Sequence, residues 1–238
     1  MNIVAIETAT ETVGVAVRTE GGAEAAFTLS GRRRHVETLA PAMEDLLARV
    51  GLGTGDIHLV AVDLGPGLFT GLRVGVAAAK GLAQALGIGV IGLSSLEILT
   101  RAAVQLGHGG HLLAAVDARR GEVFASVCES RPGQARTEDV IGSGLFSPEG
   151  LAEALAGLGG VPIMAIGDGA QRYAEVLRAV PGVACVLDGL SSPPPLTLLD
   201  MAVDLYAAGV APVAPELVVP LYMREADATS NFAQVPAR

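Results

Sequence analysis

A glycine-rich segment, LGPGLFTGLRVG at residues 64–75, is the first candidate for chemistry in this sequence. It follows the apolar run LVAV and precedes a stretch of small residues, a pattern typical of a strand, a loop and a helix. Backbone N–H groups at a helix start attract anions, as in a phosphate cradle. A P-loop also needs a lysine, and this loop has none. The sequence therefore does not predict a self-sufficient nucleoside triphosphate site, and a structural turn is the alternative.

The helix after this loop carries small residues at every fourth position. Gly71, Gly75 and Ala79 form one stripe, and Thr70 is predicted to cap the helix with its hydroxyl. Because each internal glycine costs about 0.5–1 kcal/mol relative to alanine, two of them indicate that another backbone comes very close. That neighbour is either the chain's own sheet or a helix, from this chain or a partner, that docks on an exposed stripe.

Patterns for metal binding and nucleophilic catalysis are missing from the sequence. His108 and His111 form an H-x-x-H pair in a glycine-rich break, without a nearby Cys, Asp or Glu to complete a metal site. No G-x-S-x-G, H-E-x-x-H or Cys–His arrangement occurs, and Cys128 lies far from Cys185. We expect no metal site, no catalytic residue of these kinds and reduced thiols.

Two acidic residues, Glu7 and Asp117, end apolar strands in segments that share one pattern. MNIVAIETATETVGVAV (1–17) and HLLAAVDARRGEVFASV (111–127) each read as strand, acid, tight turn and strand. The repeat predicts two domains of related topology. A later helix is expected to pack back on the first domain. The predicted bounds are 1–107 and 108–225 for the domains, 197–209 for that helix and 226–238 for a flexible tail.

Apolar periodicity supplies the elements that hold these positions. Strands are predicted at 2–8, 12–18, 24–29, 57–65 and 89–93, and helices at 35–50, 70–86, 95–106, 147–158 and 197–209, with a strand, turn and helix within 161–180. Ser94 and Glu97 form a capping box, and Pro41 should kink its helix or mark the first turn. Strands alternating with helices indicate an α/β protein with mixed sheets.

The charge balance limits the possible partners. The 238-residue chain has a formal net charge of −9, which disfavours direct nucleic-acid binding. The local exception, Arg32 to Arg34, is typical of a solvated turn. No targeting segment precedes the first strand, and no apolar stretch reaches the roughly 20 residues of a membrane span. We expect a cytoplasmic protein without membrane contact.

Several segments together resemble one known family. GPGLFTGLRVG is similar to the signature segment of the TsaB family, and VAIETAT, DARRGEVFA, GDGA and PLYMR support the resemblance over about residues 2–224. The resemblance implies an actin-like, sugar-kinase-like fold of two duplicated domains, with mixed sheets flanked by helices. It also implies a role in making threonylcarbamoyladenosine in tRNAs that read codons beginning with A.

The resemblance implies partners as well. These are the catalytic paralogue TsaD, bound through the first domain, and the ATPase TsaE and tRNA, which are both reached only through the complex. The small-residue stripe on two copies of the chain is also expected to support a homodimer when TsaD is absent. The interface candidates are His35, Leu39, Met43, Gly71, Arg73, Gly75 and Ala79.

In actin-like ATPases, acids at the ends of these hairpin strands orient a metal ion and water around the γ-phosphate. By resemblance, the candidates near a nucleotide are Glu7, Thr8, Asp117, Arg119, Gly167 and Gly169. The chain is expected to have no cofactor of its own, and ATP or ADP with Mg²⁺ would bind at the junction with the partner. The turn after Glu7 has no glycine and adds the negative charge of Glu11. Hydrogen bonds from the acids to their own turns are therefore the alternative.

Two classes of function remain open at this point. In the first, the chain is a non-catalytic scaffold that activates a catalytic paralogue. In the second, it is an ATP-dependent enzyme of the sugar-kinase type or a glycoprotease-like peptidase. The second class would require a complete phosphate cradle and a catalytic base, and neither is visible in the sequence.

Overall fold

The computed structural model describes residues 1–31, 35–130 and 137–224, and it contains two five-stranded sheets in succession. The first half comprises β1 (Ile3–Glu7), β2 (Thr12–Arg18), β3 (Glu24–Ser30), α1 (His35–Arg49), β4 (Leu59–Asp63), α2 (Phe69–Leu86), β5 (Val90–Leu93) and α3 (Ser95–Gln105). The second comprises β6 (Gly110–Arg119), β7 (Glu122–Ser130), β8 (Glu138–Phe146), α4 (Pro148–Ala156), β9 (Ile163–Ile166), α5 (Asp168–Arg172), α6 (Ala174–Arg178), β10 (Val183–Val186) and α7 (Pro195–Ala207).

The two sheets have the same topology. Their strand orders are β3-β2-β1-β4-β5 and β8-β7-β6-β9-β10, with the first strand of each half at the centre. In both halves this central strand pairs antiparallel with the next strand of the chain and parallel with the fourth strand of its half. The repeat read from the sequence is therefore present as a structural duplication.

Helices cover the sheets and cross between the halves. Helices α1 and α2 pack on the face of the first sheet that carries Val4 and Ile6. Helix α7 follows the second sheet in the chain but packs on the other face of the first, beside Ile3 and Ala5. Helix α3 packs on the second sheet through Leu99. The first sheet ends at Leu93 and the second begins at Gly110, while α3 and α7 each pack on the sheet of the other half.

Most element positions follow the sequence prediction, and the capping box at α3 is confirmed. Ser94 Oγ accepts the Leu96 N–H at 3.3 Å, and Glu97 Oε2 accepts the Ser94 N–H at 3.2 Å. Strands β8 and β10 were not predicted. They are edge strands with several exposed residues, so their sequences carry little apolar pattern and depend on pairing with β7 and β9.

Two local predictions are wrong, and for Pro41 one of the two predicted alternatives is excluded. Thr70 does not cap α2, because the helix begins at Phe69 and Thr70 already lies in its first turn. Leu68, which precedes the helix, donates its N–H to Ala9 O at 2.6 Å. Pro41 lies inside α1 rather than in its first turn. Helix α7 begins at Pro195, two residues before its predicted start, since proline is compatible with the first turn of a helix.

No helix among the described residues is long and apolar enough to span a membrane. Arg32 to Arg34 and the predicted tail lie outside the described residues.

Candidate functional site

The glycine loop closes tightly on the turn between β1 and β2. The Thr8 hydroxyl donates to Gly71 O at 2.8 Å, and a Cβ at Gly67 would lie 2.1 Å from Ala9 O. The Gly65–Pro66 peptide bond is cis. Through these contacts, the loop holds the first turn of α2 against the hairpin formed by β1 and β2.

The small-residue stripe of α2 is buried, so its prediction as an exposed docking surface is wrong. A Cβ at Gly71 would lie 2.1 Å from Thr8 O, and one at Gly75 would lie 2.2 Å from Thr8 Oγ1. Ala79 is fully buried in the core. The chain's own hairpin therefore fills the space that a partner helix would need.

The other interface candidates divide into buried and exposed residues. His35 is buried and its Nε2 donates to Thr10 O at 2.9 Å, while Leu39 and Met43 pack into the first core. Arg73 is exposed, with its guanidinium 3.7 Å from the centre of the Phe69 ring. Of these four candidates, Arg73 is the one placed for contact with another molecule.

Glu7 and Asp63 lie side by side at the ends of the neighbouring parallel strands β1 and β4. Glu7 Oε1 accepts the Ala9 N–H at 2.7 Å, and Asp63 Oδ1 accepts both the Gly65 N–H and the Ser95 hydroxyl at 2.7 Å. Both residues thus bond their own turns. Their second oxygens, Oε2 and Oδ2, are buried without a hydrogen-bond partner among the described residues.

Burial changes the acidity of this pair. Loss of solvent raises the pKa of Glu7 well above its usual value, and the nearby charge of Asp63 raises it further. Burial also raises the pKa of Asp63 to about 7, although the Gly65 N–H and the Ser95 hydroxyl favour its ionised form.

In the second half, a charged network surrounds the turn of the β6–β7 hairpin. Arg119 Nη1 lies 3.0 Å from Asp117 Oδ2, and Arg119 Nη2 lies 2.5 Å from Glu11 Oε1 in the first half. Asp168 Oδ1 accepts the Asp117 N–H at 2.9 Å. Burial and the charge of Asp117 raise the pKa of Asp168 to about 6. On either side of Asp168, Gly167 and Gly169 pack closely on the backbone of β6.

An open cleft of about 960 Å³ lies where these elements meet, lined by Glu11, His35, Val36, Leu68, Phe69, Thr70, Gly71 and Arg119. The residues do not fit a Mg²⁺–nucleotide held by this chain alone. Glu7 is sealed from solvent, Asp117 is paired with Arg119, and the carboxylate of Glu11 faces the same guanidinium from the cleft. Among the described residues, no group of three or more His, Cys, Asp or Glu side chains could hold a metal ion.

Sequence reasoning missed several partners in these contacts. Asp63 was detectable as the last residue of a buried strand adjacent to β1. The contact of Asp168 with Asp117 requires the pairing of β6 with β9, and the Glu11–Arg119 pair requires the two halves to be placed together. The Tyr222 ring lies 5.5 Å from that of Phe69, and its hydroxyl accepts from Arg73 at 3.1 Å. This contact joins residues far apart in the chain.

The duplicated sheets, the crossing helices α3 and α7 and the acids at the ends of the central strands define an actin-like protein. A solved structure from Pseudomonas aeruginosa, described as an uncharacterized protein with similarity to peptidase YEAZ, matches with a TM-score of 0.78. It is 28% identical and covers 94% of this chain and 99% of that one.

Sequence relatives give the family. The tRNA threonylcarbamoyladenosine biosynthesis protein TsaB of Escherichia coli is 32% identical over 94% of this chain and 95% of its own length. The family model described as TsaD, tRNA N6-adenosine threonylcarbamoyltransferase, matches residues 28–178. A transferase of that name from Moorella thermoacetica is 48% identical over 27% of this chain and 19% of its own length. The chain belongs to the TsaB family.

Proposed function

We propose that this protein is a non-catalytic subunit in the formation of threonylcarbamoyladenosine in tRNA, and that it activates the catalytic paralogue TsaD by pairing with it. The observation that carries the proposal is the relatedness to TsaB over nearly the whole chain. The shorter similarity to the transferase supports a common origin of the two proposed partners.

The engaged acids support a non-catalytic role. Glu7 and Asp63 bond their own turns, and Asp117 is paired with Arg119. A catalytic base needs to reach a substrate proton, and a sealed or paired carboxylate is poorly placed for that. We propose that any ATP or ADP with Mg²⁺ is held at the junction by residues of the partner. TsaE and tRNA would join through the complex, in the cytoplasm.

Activity separates this proposal from the enzymatic alternatives. The purified chain, given threonine, bicarbonate, ATP and tRNA, should neither modify tRNA nor hydrolyse ATP or peptide substrates. Addition of TsaD and the other pathway proteins should restore modification, and omission of this chain should abolish it. Modification of tRNA by the chain alone would contradict the non-catalytic role. ATP turnover by the chain alone would support a sugar-kinase-type enzyme, and peptide cleavage would support a peptidase.

We propose that TsaD docks on the outer face of α1 and α2, defined by Val36, Phe69, Arg73 and Ala77. Val36 is 72% exposed and Phe69 is 46% exposed, and apolar side chains this open support an interface. Because α1 and α2 lie side by side on the first sheet, two helices of the partner would complete a four-helix contact. A second copy of the chain would use the same face when TsaD is absent.

A pair of alanine substitutions tests the docking face. Ala77→Arg changes an exposed position of α2, whereas Ala207→Arg changes an exposed position of α7, on the opposite face of the sheet. Both variants should melt like the parent chain. Only Ala77→Arg should lose TsaD in size-exclusion chromatography, and equal binding by both variants would exclude this face.

A further inference from the structure

The turn of the β6–β7 hairpin, residues 117–122, has an unusual backbone for its sequence. Arg119 and Arg120 have φ values of 62° and 55°, in the left-handed region that favours glycine. Strand pairing is irregular between Asp117 and Arg119. Non-glycine residues adopt this conformation where surrounding contacts stabilise it. The contacts of this turn, which we call the hairpin tip, therefore indicate its role.

The first contact of the hairpin tip crosses the cleft. Arg119 Nη2 reaches Glu11 Oε1 in the first half at 2.5 Å, while Asp117 holds the same guanidinium from behind at 3.0 Å. Arg172 approaches Asp117 Oδ2 at 3.5 Å. Glu11 and Arg119 both line the cleft, so their ion pair joins its two walls.

The second contact comes from a C-terminal segment, residues 210–224, which we call the strap. It pairs with β5 through Val213 and Val90, whose backbone groups bond in both directions at 2.9 Å. Lys80 of α2 donates to Val218 O at 3.0 Å. The strap therefore runs from the edge of the first sheet along α2.

The strap then reaches the second half. Leu221 N–H donates to Leu64 O at 2.7 Å, beside the glycine loop. Arg224 Nη1 donates to Ala118 O at 3.1 Å, and its Nη2 pairs with Glu122. Since Ala118 directly precedes Arg119, the strap fixes the backbone that aims the Arg119 guanidinium at Glu11.

We propose that the hairpin tip is a latch on the cleft between the two halves, and that the strap sets this latch through Arg224. Docking of the strap end and closure of the cleft are then coupled, although Arg224 does not touch Glu11. Undocking of the C-terminal end of the strap would therefore also loosen the β1–β2 turn and the start of α2. This coupling is a property of the isolated chain and does not depend on the proposed function.

Hydrogen exchange of the full-length protein tests the coupling. The readout is the exchange of amides in residues 8–14 and 64–72, which flank the cleft, in Arg119→Gln, Arg224→Gln and the double variant. Each single change should speed exchange there by roughly 3–10-fold, since the cleft opens more often. The double variant should exchange no faster than the quicker single variant. Arg49→Gln, which removes an ion pair within α1, is the control and should leave both segments unchanged.

Each other outcome counts against the proposal. Unchanged amide exchange in Arg224→Gln would show that the strap does not control the latch. If the increases in exchange rate of the two single variants multiply in the double variant, the two contacts act independently. If Arg119→Gln fails to fold by circular dichroism, Glu11→Gln breaks the same ion pair from the other wall. Unchanged exchange in Glu11→Gln, or in the parent chain when salt is raised from about 0.05 to 0.5 M, would overturn the latch.

Discussion

Gly71 shows how one missing side chain sets the distance between α2 and the first hairpin. A Cβ at this position would lie 2.1 Å from the backbone oxygen of Thr8. Backbone atoms cannot rotate away as a side chain can, so relief would require the turn or the helix to move. The same hairpin turn carries Glu11. The packing of α2 and the position of Glu11 in the wall of the cleft therefore depend on one turn.

We predict that Gly71→Ala lowers the free energy of unfolding by roughly 2–4 kcal/mol, through overpacking against Thr8. Gly81→Ala is the matched control, because Gly81 lies in the same helix and the added Cβ would have nothing within 4 Å apart from the neighbouring backbone of the helix itself. It should raise stability by about 0.5–1 kcal/mol. Urea unfolding measures both changes, and equal stabilities would contradict the close contact.

The buried acids predict a pH dependence. The folded state holds a proton on Asp63 up to about pH 7, whereas the unfolded chain releases it near its ordinary, lower pKa. Stability should therefore fall as pH rises between about 4 and 7, by on the order of 2–4 kcal/mol, and Glu7 and Asp168 contribute with the same sign.

Asp63→Asn should flatten that fall, because an amide oxygen can still accept from Gly65 and Ser95 but does not titrate. Glu153→Gln, at an exposed acid on α4, should keep the parent profile. Urea unfolding at several pH values gives the comparison. A parent stability that rises over this range would show that the acids are ionised in the folded protein.

At the scale of the element, α3 depends on its first turn. The helix has eleven residues, a length that is marginal for a helix in isolation, and its side chains pack toward both halves. Its capping box satisfies backbone groups that would otherwise have no partner at the start of the helix. The next residue, Ser95, also donates to Asp63, so the cap positions one of the buried acids.

Ser94→Ala should destabilise the protein by about 1 kcal/mol, within the range for loss of a capping side chain. Ser94→Asp should restore most of that stability, because an aspartate accepts the same N–H groups. Thermal melting of the three proteins measures the effect. A melting temperature that Ser94→Ala leaves unchanged would mean that tertiary packing alone fixes the start of α3.

At the scale of the whole molecule, two crossing elements join the halves on opposite sides of the first sheet. Helix α7 covers one face, where Asp204 pairs with Arg101 of α3 at 2.6 Å. The strap passes over α2 on the other face. The halves are thus connected by long-range packing as well as by the chain between the sheets.

Net charge gives a prediction at this scale. With a formal charge of −9, the isolated chain should bind tRNA more weakly than a dissociation constant of about 10⁻⁴ M at physiological salt, because few cations are available to displace counterions. Fluorescence anisotropy with labelled tRNA measures this. Tight binding that weakens steeply with salt would contradict it and would direct attention to Arg32 to Arg34.

The sequence by itself determined the repeated strand-turn-strand units, the α/β class and most of the helices, because these depend on local apolar periodicity and on caps such as Ser94. It also predicted that another backbone lies against the stripe of Gly71 and Gly75. That backbone is present at Gly71, whereas Gly75 contacts the side chain of Thr8. Only the tertiary structure decided that this backbone belongs to the chain's own hairpin. The partners of the buried acids and of Arg119 are likewise tertiary, because Glu11, Asp63 and Asp168 approach them from separate strands and turns. Such contacts depend on the placement of whole elements, which local patterns do not encode.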